Sequence, residues 1–140
     1  MAQQLVLIAD DNPDALLIFE TILEARGFAV IHAVDGDEAV ELARQHRPDL
    51  IFMDLMMPGT DGWEAMAVLR QDPDVSSRIP VVAVSAYEPA REDVREAGFC
   101  ALLIKPVKPT EVVRAAKACL DAHDQGQSWI ADLSLRVRSE

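Results

Sequence analysis

Five short runs, most of them apolar at consecutive positions and each followed by a stretch of helical pattern, constrain the fold of this chain. Read as strands, they are Leu5–Asp10, Ala29–Ala33, Leu50–Asp54, Pro80–Ser85 and Ala101–Ile104. Unbroken apolar runs need cover on both faces, which is the pattern of buried parallel strands. Strands of that kind alternating with helices require right-handed crossovers and helices on both sides of one sheet. The helices are legible too. Asn12 is an N-cap candidate ahead of Pro13, and Leu16, Phe19, Ile22 and Leu23 run up to a stop at Gly27. Ala39, Leu42, Ala43 and His46 fall at i, i+3, i+4 and i+7 within Gly36–His46, an amphipathic helix. Three more helices are expected over Trp63–Gln71, Pro89–Ala97 and Pro109–Ala122, with a polar loop from Asp72 to Ile79. The fold expected is α/β: a doubly wound, flavodoxin-like parallel sheet of five strands in the order 2-1-3-4-5, with five helices.

The strands end on chemistry. The first closes on Asp10-Asp11, the third on Asp54, the fourth on Ser85 and the fifth on Lys105-Pro106. Parallel strands present their carboxyl ends along one edge, where open α/β sheets bind ligands, and the order 2-1-3-4-5 sets strands 1 and 3 side by side there. Asp10, Asp11 and Asp54 then crowd together, an arrangement that repels unless a cation or proton neutralises it. An all-oxygen site of this sort suits Mg²⁺, and a carboxylate beside it can act as a nucleophile on phosphorus. Lys105 and the metal would meet the charge on a transferring phosphoryl group, and Ser85 adds a small donor. Alone, Asp10 or Asp11 reads as a helix cap, Asp54 as a turn residue and Lys105-Pro106 as a surface turn. Their joint placement on one edge argues for a site.

These residues carry a resemblance. Over roughly Leu5 to Ala122 the chain resembles the receiver domain of bacterial two-component response regulators, in the stand-alone, chemotaxis-regulator-like form. The matching motifs are Ile8-Ala9-Asp10-Asp11-Asn12, the run from Met53-Asp54-Leu55 through Met56-Met57-Pro58-Gly59-Thr60-Asp61-Gly62, Ser85-Ala86 and Lys105-Pro106. The resemblance implies that Asp54 accepts a phosphoryl group from a kinase histidine, and that Asp10, Asp11, Asp54 and the Met56 carbonyl hold Mg²⁺. It also implies that Ser85 follows the phosphoryl group, that Lys105 pairs with it, and that the switched face involves the fourth helix, fifth strand and fifth helix. A sensor histidine kinase and a downstream target or phosphotransfer protein are the implied partners. Three positions depart from the family pattern. Leu102 stands where an aromatic is common, Ser85 replaces the commoner Thr, and Met56 and Tyr87 are bulky where the family tunes dephosphorylation. The last pair leads us to expect a long-lived phosphorylated state.

Composition narrows the alternatives. The 140 residues fit one domain, and a formal net charge of −11 disfavours nucleic acid and anionic membranes. No run approaches the ~20 apolar residues that span a bilayer, and Met1–Gln4 has no basic signal-peptide region. Cys100 and Cys119 lack metal spacing, so reduced thiols in a cytoplasmic protein are expected. A phosphatase of the haloacid-dehalogenase type would carry an acid two residues after Asp54, where this chain has Met56. A flavin carrier would not place Asp10-Asp11-Asn12-Pro13-Asp14 in its phosphate loop, and a pseudo-receiver would not need the complete pocket. The expected division is a receiver domain over 1–122 and an extension over 123–140. On the last helix, Val113, Ala116 and Leu120 form one apolar stripe and Val112, Ala115 and Cys119 another; one suffices for docking, so the other is a candidate partner surface. Ala131 to Val137 alternates apolar and polar after Trp129, the pattern of a half-buried strand that either packs as an arm on a second copy or on the kinase, with a homodimer as one outcome, or docks on its own domain. His32, His46 and His123 read as ordinary surface or boundary residues, and Trp63 as a packing residue.

Overall fold

The computed structural model describes residues 3–76 and 79–124, and the extension with its alternating segment lies outside them. In chain order the elements are β1 (Leu5–Ala9), α1 (Pro13–Glu24), β2 (Ala29–Ala33), α2 (Gly36–His46), β3 (Leu50–Asp54) and α3 (Gly62–Gln71). There follow α4 (Pro73–Ser76), β4 (Val81–Ser85), α5 (Arg91–Ala97), β5 (Ala101–Ile104) and α6 (Pro109–Asp124). All pairings are parallel, in the order β2-β1-β3-β4-β5. The doubly wound sheet is the one expected, and among the described residues the helices number one more.

Successive residues of each strand point to opposite sides, which explains the unbroken apolar runs. Leu7, Ile51, Met53, Ala83 and Leu102 face a layer formed with Ala39, Ala43, Ala65, Leu69 and Val94 of α2, α3 and α5. Val6, Ile8, Phe52, Val82, Val84 and Leu103 face the other layer, with Leu16, Phe19 and Leu23 of α1 and Val112, Ala115, Ala116 and Cys119 of α6. In that second layer the Phe19 and Phe52 rings meet edge to face, with centroids 5.2 Å apart, a geometry worth about 0.5–1.5 kcal/mol beyond area burial.

Two expectations are corrected. Residues read as the start of a polar loop form the one-turn helix α4, which is too short for periodicity to reveal. Its signal was Asp72-Pro73: the Asp72 carboxylate accepts from the Asp74 N–H at 3.0 Å, and proline suits a first turn. On α6, no apolar stripe is left over. Val112, Val113, Ala115, Ala116 and Cys119 are all buried in the chain's own core and Leu120 packs against it. This helix sits in the angle between the sheet and α1, and a helix docked on two neighbours buries a wider arc than one docked on a sheet alone.

Candidate functional site

Each expected site residue sits where a strand runs out. The N–H of Asp10 extends the β1 ladder by donating to Ala33 O at 3.0 Å, and its carboxylate turns back to accept the Asn12 N–H at 2.9 Å. Asn12 caps α1, accepting from Asp14 and Ala15, so Asp10 is free of the capping role that would have given it a purely structural reading. Asp54 ends β3 and accepts the Met56 N–H at 2.9 Å. The chain after it loops through residues 55–61 and turns back so that α3 starts against the end of β3. Gly62 makes that turn feasible, because a Cβ there would sit 2.2 Å from the Asp54 carbonyl oxygen. The Asp61–Glu64 capping box then starts α3.

Lys105 follows β5, with its N–H donating to Ser85 O at 2.7 Å. Its ammonium reaches across the edge to Asp10 Oδ2 at 2.8 Å and to Asp54 Oδ2 at 2.6 Å. Asp10 and Asp54 are buried at 3% and 5% exposure, whereas Asp11 is exposed. Carboxylate oxygens of Asp10, Asp11 and Asp54 lie within 4.8 Å of one another.

Three carboxylates against one ammonium leave a formal charge of −2 in the cleft. Acid and base both shift upward, for different reasons. Burial, reinforced by Asp10, raises the Asp54 carboxyl above its usual value, although Lys105 and the Met56 N–H pull it back. Burial pulls Lys105 down, but its hydrogen bonds to Asp10 and Asp54 and their charges outweigh that and hold it above its usual value. A cleft with that excess of negative charge favours a cation. The donor set is all oxygen, hard and net −2, which fits a divalent ion such as Mg²⁺.

Ser85 is wholly buried and engaged with its own loop. Its hydroxyl donates to Tyr87 O at 2.5 Å and accepts the Tyr87 N–H at 3.1 Å. Leu102, in the place of the family's aromatic, is a closed core residue. Beside the carboxylates lies a cleft of about 730 Å³ lined by Asp11, Leu55, Met56, Met57, Pro58, Asp61, Trp63 and Tyr87. Trp63 does more than pack: its ring meets Phe99 edge to face and its Nε1 donates to Tyr87 Oη at 3.1 Å. No spacing rule pointed to that tie between Trp63 at the start of α3 and Tyr87 in the loop after β4. Nor did any point to the carboxylate near His32, whose Nε2 lies 3.5 Å from Glu20 Oε1.

A parallel sheet in this order, with two buried aspartates, an exposed third and a lysine converging on one edge, is the arrangement of a phosphorylation-type signalling receiver. The chain belongs to the response regulator receiver domain family of two-component signalling, whose family model matches residues 6–117. Among curated relatives it is 37% identical over 117 residues to the polar-differentiation response regulator DivK of Brucella anthropi, covering 82% of this chain and 94% of that protein. Among solved structures it is similar to the receiver domain of a sensor histidine kinase from Pseudomonas aeruginosa, whose active-site cleft holds a magnesium ion. That match is 31% identical with a TM-score of 0.77, over 86% of this chain and 99% of the other. The chemotaxis protein CheY4 of Vibrio cholerae shares the fold, with a TM-score of 0.79 at 24% identity over 84% of this chain and 99% of its own. No helix among the described residues is long and apolar enough to cross a membrane.

Proposed function

We propose that Asp54 accepts a phosphoryl group from a phosphohistidine of a sensor kinase and that the added charge switches the surface of this chain for a protein partner. The observation that carries this reading is the position of Asp54, buried at 5% exposure yet held at 2.6 Å by a lysine that also holds Asp10. An Asp54 oxygen attacks phosphorus, the phosphorus–nitrogen bond breaks, and its electron pair leaves on the imidazole. Asp10, Asp11, Asp54 and the Met56 carbonyl would hold Mg²⁺. When bound, that ion supplies positive charge against the phosphoryl oxygens. Lys105 exchanges its Asp54 oxygen for a phosphoryl oxygen. Ser85 can donate to the phosphoryl group only by giving up the Tyr87 carbonyl, so binding there remodels the loop after β4. Leu102 has no hydroxyl or ring with which to follow that movement, which leaves the loop itself as the moving part.

A kinase and a downstream target or phosphotransfer protein are the partners this chemistry requires, with a cytoplasmic location to match. We also assign 1–122 to the receiver and 123–140 to an interaction arm, the remaining route to a homodimer now that α6 keeps its apolar residues in the core. The test is intact mass after incubation with Mg²⁺ and acetyl phosphate, on the native chain and on Asp54→Ala. The native chain should gain one phosphoryl mass and the variant none. No gain in a native chain shown to bind Mg²⁺ would leave a binding module in place of a receiver.

A further inference from the structure

The two cysteines meet at the end of the sheet opposite Asp54. Cys100 precedes β5, and its N–H donates to Val81 O at 2.8 Å. Val82 pairs with Ala101 at that end, whereas Ser85 pairs with Ile104 at the phosphoacceptor end. Cys119 reaches the same place from α6. Both residues are free thiols, at 5% and 1% exposure, and their Sγ atoms lie 2.7 Å apart. A disulfide has its sulfurs about 2.05 Å apart, so closure requires the two to approach by well under an ångström. The sulfurs sit between two sequential elements, β5 and α6, joined by the short connection 105–108. Proximity of this degree makes each thiol the other's most available reaction partner.

We propose that Cys100 and Cys119 form a reversible dithiol–disulfide site that staples α6 to the start of β5 when the chain meets a peroxide. One sulfur loses its proton and attacks a peroxide oxygen, the O–O bond breaks, and water leaves, giving a sulfenic acid. The second sulfur attacks the first and displaces the hydroxyl, which departs as a second water with the remaining thiol proton. Two thiols and one hydrogen peroxide thus become one disulfide and two waters. Burial, then the neighbouring Cys119, pushes the Cys100 thiol well above its usual value. Thiolate is the reacting form, so closure is slow at neutral pH and quickens in alkaline buffer. Burial also directs the oxidised sulfur to its neighbour in place of a bulky external thiol. None of this draws on Asp54 or its chemistry.

The experiment uses the full reduced chain, exposed to hydrogen peroxide in neutral and mildly alkaline buffer and then quenched with a thiol alkylating agent. Intact mass should fall by two hydrogens with neither cysteine alkylated, and proteolysis should yield one linked peptide containing both. Tm should rise by about 10 °C, from the loop-closure entropy of the segment between them, and dithiothreitol should return both mass and Tm. A Cys119→Ser variant should show no mass loss, but the native chain alone decides the matter if that variant does not fold. Over-oxidation to sulfinic or sulfonic acid, linkage only between chains, or persistent alkylation after peroxide would overturn the site. An intramolecular bond with Tm unchanged would overturn the staple.

Discussion

The two ends of one sheet are built on opposite terms. At the amino end the strands finish in neutral backbone bonds: Ala29 N–H to Gln4 O at 2.9 Å, Ile51 N–H to Pro80 O at 3.0 Å, Cys100 N–H to Val81 O at 2.8 Å. Asp49 closes the β1 side by giving its N–H to Leu5 O and accepting the Leu5 N–H on its carboxylate, both at 2.8 Å. At the carboxyl end the same strands deliver three carboxylates to one lysine. The first end satisfies what it buries, and the second buries a charge imbalance. Stability therefore resides at the amino end and in the two core layers, and the carboxyl end draws on it to hold Asp54 desolvated beside Asp10 and Lys105.

Removing the lysine should break this contrast most severely. Lys105→Met leaves Asp10 and Asp54 buried with no counter-charge, and urea unfolding at neutral pH should show a loss of about 2 kcal/mol, below the 3–5 of a fully buried pair because Lys105 is partly exposed. The loss should shrink in acid as Asp54 protonates. The native lysine has a value raised above its ordinary 10.5, so its contribution is complete below that pH and fades only as pH rises through the shifted value. A Lys105→Met chain as stable as native would mean the edge carries no electrostatic cost.

Asp54→Asn should act in the opposite direction and more gently, gaining about 1 kcal/mol at neutral pH by deleting a desolvated charge. The Asp54 carboxyl is raised above its ordinary 3.8, so the native penalty is absent below that pH and grows as pH rises through the shifted value. The gain in Asp54→Asn should follow the same course and vanish in strong acid. At the other end, Asp49→Ala removes the acceptor of the Leu5 N–H and should cost about 1 kcal/mol. Stabilisation by Asp49→Ala would show that both ends obey one rule.

The same contrast explains what could be read from the chain. The strand runs, the N-cap at Asn12 and the edge residues Asp10, Asp11, Asp54, Ser85 and Lys105 were legible because each belongs to a run whose period or ending is local, and the strand order followed from the topology that such alternation allows. Helix α4 was not, since one turn has no period. The two stripes of α6 were read correctly as apolar and wrongly as one too many, because sequence spacing counts faces and says nothing of how many neighbours surround them. Trp63 reaching Tyr87 and Cys100 meeting Cys119 join residues distant in the chain and are set by tertiary packing, whereas Ser85 turning to the Tyr87 backbone two residues on is a local turn of a kind serine favours.

The smallest expected change in stability concerns the wall beside the site, and it sharpens the comparison by asking whether the reactive end is also a guarded one. Water that hydrolyses an acyl phosphate on Asp54 must approach phosphorus opposite the bond to the Asp54 oxygen, and the cleft by Asp11 offers a way in. Met56 and Tyr87 line that cleft at 58% and 41% exposure, with Tyr87 held by the Trp63 indole. Met56→Ala and Tyr87→Ala should each shorten the life of the phosphorylated chain by about tenfold, equal to some 1.4 kcal/mol of barrier, while moving stability by under about 0.5 kcal/mol. Tyr87→Phe separates two ways of guarding. It keeps the ring but loses the tie to Trp63, so a native lifetime identifies bulk as the barrier and a lifetime like that of Tyr87→Ala identifies the tie. Decay of phosphoryl mass after removal of acetyl phosphate measures all three. If the native chain loses its phosphoryl group in seconds, and no variant is faster, the wall has no part in holding water off.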